Sequence, residues 1–525
     1  MGSIAAYLRT KNFEADLCFL ERESSGLHNP TAIIGEDKKF VVIAKPNFKD
    51  YHLMFPILRK LKKLGVARRV FFCGPFASIN SRSMLEQNAW LDGVILGQPE
   101  ETASELIAAV AQKGKWRDTR GGIWRLSSGG LCEIERKINI SLSDLPFPAR
   151  DVEIGERGKY INIEASRGCI YSCSFCHVGR YWKGNGNEII FNFRDSKLVV
   201  DEMEQIHKKL GKTLFIFNDT IFWRNKHDNQ RLIDFAREVI KRKLRIRFYV
   251  YLRCEPFIDE NVLELLTRAG LVRIFLGLEN ASRNSQSTFN KLISIEQYKK
   301  ITLTLDRLKV NAHIGYIVFE PHSTPQDIKL NIDLLYEICK LFRLGTILEP
   351  ARIIRGTLLH KKLIDERLIE PALGYESITY GYKFKDPRTE KIFRTINTVF
   401  VQKLGDVTFN YEYYITTIGV LKTLLLRERP DIFKAVEEKF EDFDKIKLKS
   451  MKMLKVYFTS LIAAVVRGEK VAEIVGSDLS SEFIGSFSEV FQDIAVRYAL
   501  ILSQIKNLGG AETVDEIYRG IDRIA

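Results

Sequence analysis

The sequence predicts an α/β protein in three parts: a doubly wound, Rossmann-like N-terminal domain, a parallel barrel left open at six βα units, and a helical C-terminal domain. Three observations carry this. Between Phe40 and Val110 short continuous apolar runs, the mark of strands covered on both faces, alternate with amphipathic helical stretches. The same alternation restarts at Ile161 and runs to about Ile354. After about residue 385 it ceases, and only helical periodicity remains. The boundaries set on these grounds are 1–140, a linker over 141–160, 161–384 and 385–525.

In chain order, residues 4–9 are predicted as a short helix and Ala15–Leu20 as a strand. Phe40–Ala44 is the first buried strand. The helix after it carries Leu53, Met54, Ile57, Leu58, Leu61 and Leu64 on one face and stops at Gly65. Val70–Cys73 is a second strand, ending in Gly74-Pro75 before another short helix. Val94–Leu96 then runs into Gly97, and Glu100, Glu101 and Thr102 head a helix to Val110. Asp144-Leu-Pro-Phe-Pro-Ala-Arg-Asp151 is a proline-stiffened connection.

The second alternation gives strands at Ile161–Ala165, Leu214–Asn218, Phe248–Leu252, Arg273–Leu278 and His313–Phe319, with a sixth near Ala351–Ile354. Helices are predicted at Leu198–Leu210, Gln230–Arg242, Asn261–Ala269 with Asp259 as its cap, and Ser294–Lys309. Ser294-x-x-Gln297 is a capping box, and Thr324-Pro325-x-Asp327 places a cap, a first-turn proline and an acid in order. In barrels of this kind chemistry sits at the C-terminal ends of the strands.

The first of those ends leads into Glu164-Ala-Ser-Arg-Gly-Cys-Ile-Tyr-Ser-Cys-Ser-Phe-Cys-His177. Cys169, Cys173 and Cys176 fall in one loop at spacing C-x3-C-x2-C, with the aromatic Phe175 before the last. Soft thiolates in such a cluster select iron–sulfur or zinc. Structural zinc wants a fourth ligand, and His177 is adjacent to Cys176, an awkward position for joining the same tetrahedral ion. A cubane held by three cysteines leaves one iron open to bind something else.

This loop resembles the radical S-adenosylmethionine (radical SAM) superfamily, in which C-x3-C-x-aromatic-C holds a 4Fe–4S cluster whose open iron chelates SAM. The resemblance extends to its cobalamin-binding group: Cys73-Gly-Pro-Phe-Ala-Ser78, Gly97-Gln-Pro-Glu-Glu-Thr102, Gly122-Ile-Trp-Arg125 with Gly129-Gly130, and the proline-rich connection are similar to the turns of those enzymes. It implies a cobalamin-binding-like N-terminal domain, truncated because the opening strand and its Asp-x-His-x-x-Gly turn are missing; Asp50-x-His52 precedes the wrong helix. The cofactors implied are the 4Fe–4S cluster on Cys169, Cys173 and Cys176, SAM and, in this group, cobalamin. SAM contacts are implied for Phe175, for Asp219 at the second strand tip (methionine amino group), for Glu279 and Ser282 after the fourth (ribose, within Gly277-Leu-Glu-Asn-Ala-Ser282), and for Tyr316 on the fifth, beside adenine. Arg253, at the third tip, has the charge either to clamp the SAM carboxylate or to pair with a nearby acid, and a salt bridge between Glu279 and Arg253 is the alternative for both. Arg355-Gly-Thr-Leu358 resembles the turn after the sixth.

The net charge of +14 is spread along helices beside apolar stripes, as in Arg59-Lys-Leu-Lys-Lys63, and is read as solvated helix faces rather than a nucleic-acid surface. Few cysteines, without disulfide spacing, suit a reducing cytoplasm, and Val456–Val466 is too short to span a bilayer. The C-terminal helices are predicted at Phe393–Lys403, Tyr414–Arg427, Ile432–Lys439, Lys447–Val466 and Glu482–Leu508, as a cap over the barrel mouth, with breaks at Gly405, Pro430 and Gly468. The function expected is radical modification of an unactivated carbon of a small molecule or peptide, with cobalamin-dependent methylation ahead of rearrangement or cyclisation. Its electron donor would be of the flavodoxin or ferredoxin kind. Two other readings are tRNA methylthiolation, for which Cys18, Cys73 and Cys132 lack the second-cluster context, and a basic adaptor with a structural zinc loop.

Overall fold

The computed structural model describes residues 1–16, 22–23, 26–27, 40–46, 51–136, 140–151, 160–178, 181, 191–254, 258–338, 344–370, 379–510 and 514. The strand expected at Ala15–Leu20 lies almost wholly outside them. The chain forms two compact units: Met1–Gly158 with Glu164–Glu202 and Arg352–Gly381, and Lys159–Ile163 with Met203–Ala351 and Tyr382–Ala525.

In the first unit β1 (Arg22–Glu23) and β2 (Gly26–Leu27) make a short antiparallel pair. The main sheet runs β3 (Phe40–Ala44), β4 (Ala67–Phe72), β5 (Gly93–Ile95), β6 (Gly122–Arg125), β7 (Leu131–Ile134), the first three parallel and the last two a hairpin. Strand alternation sorts β4 between two cores. Val70 and Phe72 pack with Leu58 and Leu61 of helix Tyr51–Lys63 and Met84 of helix Gly74–Gln87. Phe71 turns the other way, onto Ile4 and Leu8 of helix Gly2–Thr10, Leu106 of helix Glu100–Ala111, Trp116 and Trp124. Both faces are therefore covered, which is why these strands read as continuous apolar runs.

In the second unit five strands lie in sequence order and all parallel: β8 (Ile161–Ile163), β11 (Leu214–Phe217), β12 (Arg247–Arg253), β13 (Leu271–Glu279) and β14 (Asn311–Tyr316). Their helices begin where the caps predicted. Asp259 accepts from the backbone of Asn261 and Val262, and Ser294 from Gln297. Thr324 and Asp327 exchange bonds at the head of Pro325–Ile338. The sixth strand is reduced. Ala351 donates one ladder-like bond to Phe319 O (2.7 Å), while β15 (Ile353–Ile354) pairs antiparallel with β16 (Thr379–Tyr380) in the first unit. A two-residue apolar run has too few ladder bonds to extend the parallel sheet.

The C-terminal region is helical, with two differences from expectation. Pro430–Val466 is one 37-residue helix rather than two, because Phe440 and Phe443 stay buried at helical spacing and neither Gly nor Pro interrupts the charged stretch between. The second difference is in placement. Arg427, at the end of helix Asp406–Glu428, donates to Leu271 O and Thr267 O, and Glu428 pairs with Arg247. Leu271 and Arg247 start β13 and β12, and Thr267 lies in the last turn of the helix leading into β13, so this end of the helical region buttresses the base of the sheet and not its mouth. Helix Pro430–Val466 packs along Pro325–Ile338, where Lys455 meets Asp333 at 3.3 Å. No helix among the described residues is long and apolar enough to cross a membrane.

Candidate functional site

The cysteine segment belongs to the first unit. It is introduced by β9 (Ser166–Gly168), buried and paired antiparallel with β10 (Phe191–Phe193). Cys169, Cys173 and Cys176 are half-buried and none is in a disulfide. The Cys176 N–H donates to Cys173 O at 3.1 Å, placing the last two thiols on one turn, and Leu359 N–H donates to Ser174 O at 2.8 Å. Ahead of the loop, the buried Arg167 donates to both oxygens of Glu100 (3.1 and 2.9 Å) and to Glu164 (2.8 Å), and Ser3 donates to Glu100. Burial alone would push the Glu100 carboxyl up. The Arg167 charge, with hydrogen bonds from Arg167 and Ser3, outweighs it and holds the group below the ordinary range. Cys73 is buried elsewhere in this unit, its thiol pushed up to about 11 by burial, which suits a protonated core thiol rather than a ligand.

Phe175 lies in the cysteine loop itself, in the first unit, and the remaining predicted residues sit in the second unit, at one edge of its sheet. The ladder register places Arg253 opposite Gly277 and Glu279 opposite Tyr316, so three adjacent strand ends are level. Asp219 follows Asn218, whose N–H donates to Ile163 O (2.8 Å), at the tip of β11. Asp219 is 1 % exposed, and its charge has a buried counterpart in Arg231. Burial pulls the Arg231 guanidinium down, and Asp228 and Asp219 oppose that.

Glu279 ends β13 in left-handed backbone (φ +68°), at an irregularity in the ladder. In place of the salt bridge to Arg253 that the sequence allowed, its Oε1 accepts from the buried Lys291 ammonium at 2.7 Å. The turn after it is fastened at several points. Asn280 donates to Ile317 O (2.7 Å), Gln286 donates to Asn280 O (3.0 Å), and Ala281 N–H donates to Asn331 Oδ1 (2.8 Å). Tyr316 OH donates to the same Asn331 oxygen at 2.6 Å, and the Ser282 hydroxyl donates to Asp327. Both hydroxyl protons are thereby committed inside the protein. Lys291, Asn331, Asp327 and Arg231 were not foreseen as parts of this edge. Only Asn331 carried a signal, a polar residue on the apolar stripe Ile328, Ile332, Leu335.

Residues 163–335 match the family model described as the radical SAM superfamily. The chain carries a radical SAM domain. It is 25% identical over 346 residues to the anaerobic magnesium-protoporphyrin IX monomethyl ester cyclase of Rubrivivax gelatinosus, covering 62% of this chain and 59% of that one. It is 24% identical over 235 residues to the hopanoid C-3 methylase of Methylococcus capsulatus, covering 43% and 42%. The chain thus spans less than two thirds of these relatives' lengths. In fold it is similar to the cobalamin-dependent radical SAM enzyme OxsB, solved with aqua-cobalamin and SAM bound, at a TM-score of 0.64 and 18% identity over 91% of this chain and 75% of that one.

A radical SAM domain implies a 4Fe–4S cluster and SAM, and the donor set fits. Three half-buried thiols come from one loop. A tetrahedral zinc would draw the thiolates onto one ion, whereas a cubane spreads them over three irons. For SAM, the radical SAM domain presents a buried carboxylate (Asp219), a partly buried one (Glu279) and a half-buried guanidinium (Arg253) along one sheet edge, groups complementary to a cationic amine, a ribose and a carboxylate.

Proposed function

We propose that the protein is a radical SAM enzyme that modifies an unactivated carbon of a small molecule or peptide, with cobalamin-dependent methylation as the specific reaction. The observation that carries the reading is the three-thiol loop inside the matched radical SAM domain, with Asp219, Arg253 and Glu279 along the sheet edge of that domain. Cys169, Cys173 and Cys176 would hold the cluster. When bound, the cluster supplies the electron that cleaves SAM to methionine and a 5′-deoxyadenosyl radical, which abstracts hydrogen from substrate. The chain's residues orient the cosubstrate: Asp219 takes the amino group, Arg253 the carboxylate and Glu279 the ribose hydroxyls, with Tyr316 and Phe175 against the adenine and methionine ends. Ser282 supports the turn through Asp327. The electron would come from a soluble flavodoxin- or ferredoxin-like donor.

Cobalamin is supported by the first unit's sheet edge and by two comparisons: OxsB is solved with aqua-cobalamin bound, and a relative is named a methylase. Doubly wound folds bind ligands at the C-terminal ends of their parallel strands. There Gln98, in the turn after β5, is 5 % exposed with neither amide atom partnered among the described residues. Ser78 Oγ and Asn80 Oδ1, after β4, are buried and unpartnered as well. Buried amides and hydroxyls left unpaired cost free energy that a polar ligand edge would recover. These residues would hold a corrinoid's amide side chains, though no strand precedes β3 in this sheet among the described residues.

The test is anaerobic reconstitution with iron, sulfide and a corrinoid, followed by incubation with SAM and reductant. The expected result is 5′-deoxyadenosine formation that a Cys169→Ala variant abolishes; undiminished cleavage by that variant would refute the assignment. Failure to retain corrinoid supplied in excess would remove the methylation reading while leaving the radical SAM reading intact.

A further inference from the structure

Three unfavourable features meet at the end of β13. Glu279 adopts a left-handed conformation that side chains other than Gly, Asn and Asp rarely take. Lys291 buries an ammonium, its side chain 5 % exposed, in the loop after helix Arg283–Thr288. A Cβ at Gly277 would lie 2.7 Å from both Glu279 Oε1 and Lys291 Nζ, so glycine there leaves the pair its room and any side chain would displace it. A fold that needed only a turn would place glycine at 279 and an apolar residue at 291. Instead this one maintains a strained residue, a desolvated cation and a glycine to seat one carboxylate.

We propose that Lys291 is a positioning residue for SAM binding: it pins Glu279 Oε1 and thereby sets Oε2 to accept from the cosubstrate's ribose hydroxyls. This rests on the reading of Glu279 as the ribose contact. Among the described residues Glu279 has a single side-chain partner, Lys291, and Oε2 has none. The Lys291 backbone is itself fixed, its N–H donating to Gln286 O at 2.9 Å, and Gln286 in turn holds Asn280. The ammonium is thus anchored through the same turn whose carboxylate it holds. Holding a two-carbon acid stem in place before binding removes the ordering cost that a free side chain would incur on meeting the ligand.

The experiment compares equilibrium dissociation constants for SAM and for SAM lacking the ribose 2′-hydroxyl, on the full-length reconstituted protein. Wild type should bind the deoxy analogue about tenfold more weakly or worse, as expected for losing a hydrogen bond to a charged acceptor. Lys291→Met should raise the SAM dissociation constant about tenfold and shrink the discrimination between the two ligands below about threefold, at unchanged iron per chain. Lys291→Arg, which keeps a cation, should restore part of the discrimination. Gly277→Ala should reduce it without removing any charge, and these two variants carry the test if Lys291→Met does not fold. If Glu279→Gln loses discrimination while Lys291→Met and Gly277→Ala keep it, Lys291 is only structural and the proposal falls. If Glu279→Gln itself keeps full discrimination, the ribose reading fails first, and that result is distinct from the other.

Discussion

Arg167–Glu100 and Lys291–Glu279 are both ion pairs taken largely out of water, and they are built on opposite plans. The Arg167 guanidinium uses all its nitrogens: both Glu100 oxygens, Glu164 and, at 3.4 Å, Ser3, which itself donates to Glu100. Its backbone lies in a regular strand pair. Lys291 meets Glu279 through one oxygen, and the carboxylate rides on strained backbone with its second oxygen unpartnered among the described residues. Removing charges from water costs several kcal/mol per ion, so geometry and further hydrogen bonds must compensate. The first pair recovers that cost within the protein and acts as a brace. The second leaves bonding capacity over, at the strand end where a ligand would arrive.

The largest effect should come from breaking the brace. Arg167→Met leaves Glu100 buried, 1 % exposed, with the Ser3 hydroxyl and its own backbone N–H as donors but no guanidinium, and should destabilise the fold by about 3–5 kcal/mol in urea unfolding. Because Arg167 sits two residues ahead of Cys169, iron retained after reconstitution should fall in parallel. Acid sharpens the point. The Glu100 carboxyl is held below its ordinary value of 4.5, so its contribution is complete above that pH and declines as pH drops towards the folded value. In Arg167→Met only burial acts strongly, the carboxyl moves up, and this contribution should reverse: stability lost as pH rises through about 4.5 and above. Urea midpoints across pH 3–7 check the sign. A parallel decline in both proteins would mean that Arg167 is not what holds Glu100 ionised.

The receptor pair should respond the other way round, in binding before stability. Glu279→Gln removes the charge that accepts ribose hydroxyls and should weaken SAM by about 10- to 100-fold, or roughly 1.5–3 kcal/mol. Its unfolding free energy should fall by roughly 1.5–3 kcal/mol, less than in Arg167→Met, since the Lys291 ammonium loses its counter-charge but keeps a neutral acceptor. A stability loss as large as that of Arg167→Met, without a change in SAM affinity, would erase the distinction between the two pairs.

That distinction was invisible in the sequence, while the frame around it was not. Strands covered on both faces announce themselves as apolar runs, and Asp259, Ser294 and Thr324 announce helix starts because a cap acts within its own turn. The cysteine loop was legible for the same reason: its three thiols sit close in sequence. Lys291 and Glu279 are twelve residues apart, and Arg167 and Glu100 sixty-seven; no spacing rule encodes such contacts. The placement of one end of the helical region was illegible on similar grounds. Periodicity shows that Asp406–Glu428 has an apolar face, but only Arg427 and Glu428, reaching Leu271 and Arg247, show which end of the barrel it serves.

Ser282 supplies the smallest effect and the strictest control. It lies three residues beyond Glu279 and is 2 % exposed, and its hydroxyl proton is committed to Asp327. Burial would push the Asp327 carboxyl up, and the hydrogen bonds it accepts from Ser282, Thr324 and Asn284 hold it below the ordinary range. Ser282→Ala removes one of these donors. Thr324 still supplies its N–H at 2.9 Å and its hydroxyl at 2.8 Å, and Asn284 its amide at 3.2 Å. The loss is one hydrogen bond and not an orphaned charge, so the fold should weaken by only about 1 kcal/mol. SAM affinity should stay within about twofold, because no proton of Ser282 was available to the ligand. A tenfold loss of affinity in Ser282→Ala would show a residue already engaged inside the protein contributing as much as an unengaged one, and unused bonding capacity would then no longer identify where the cosubstrate binds.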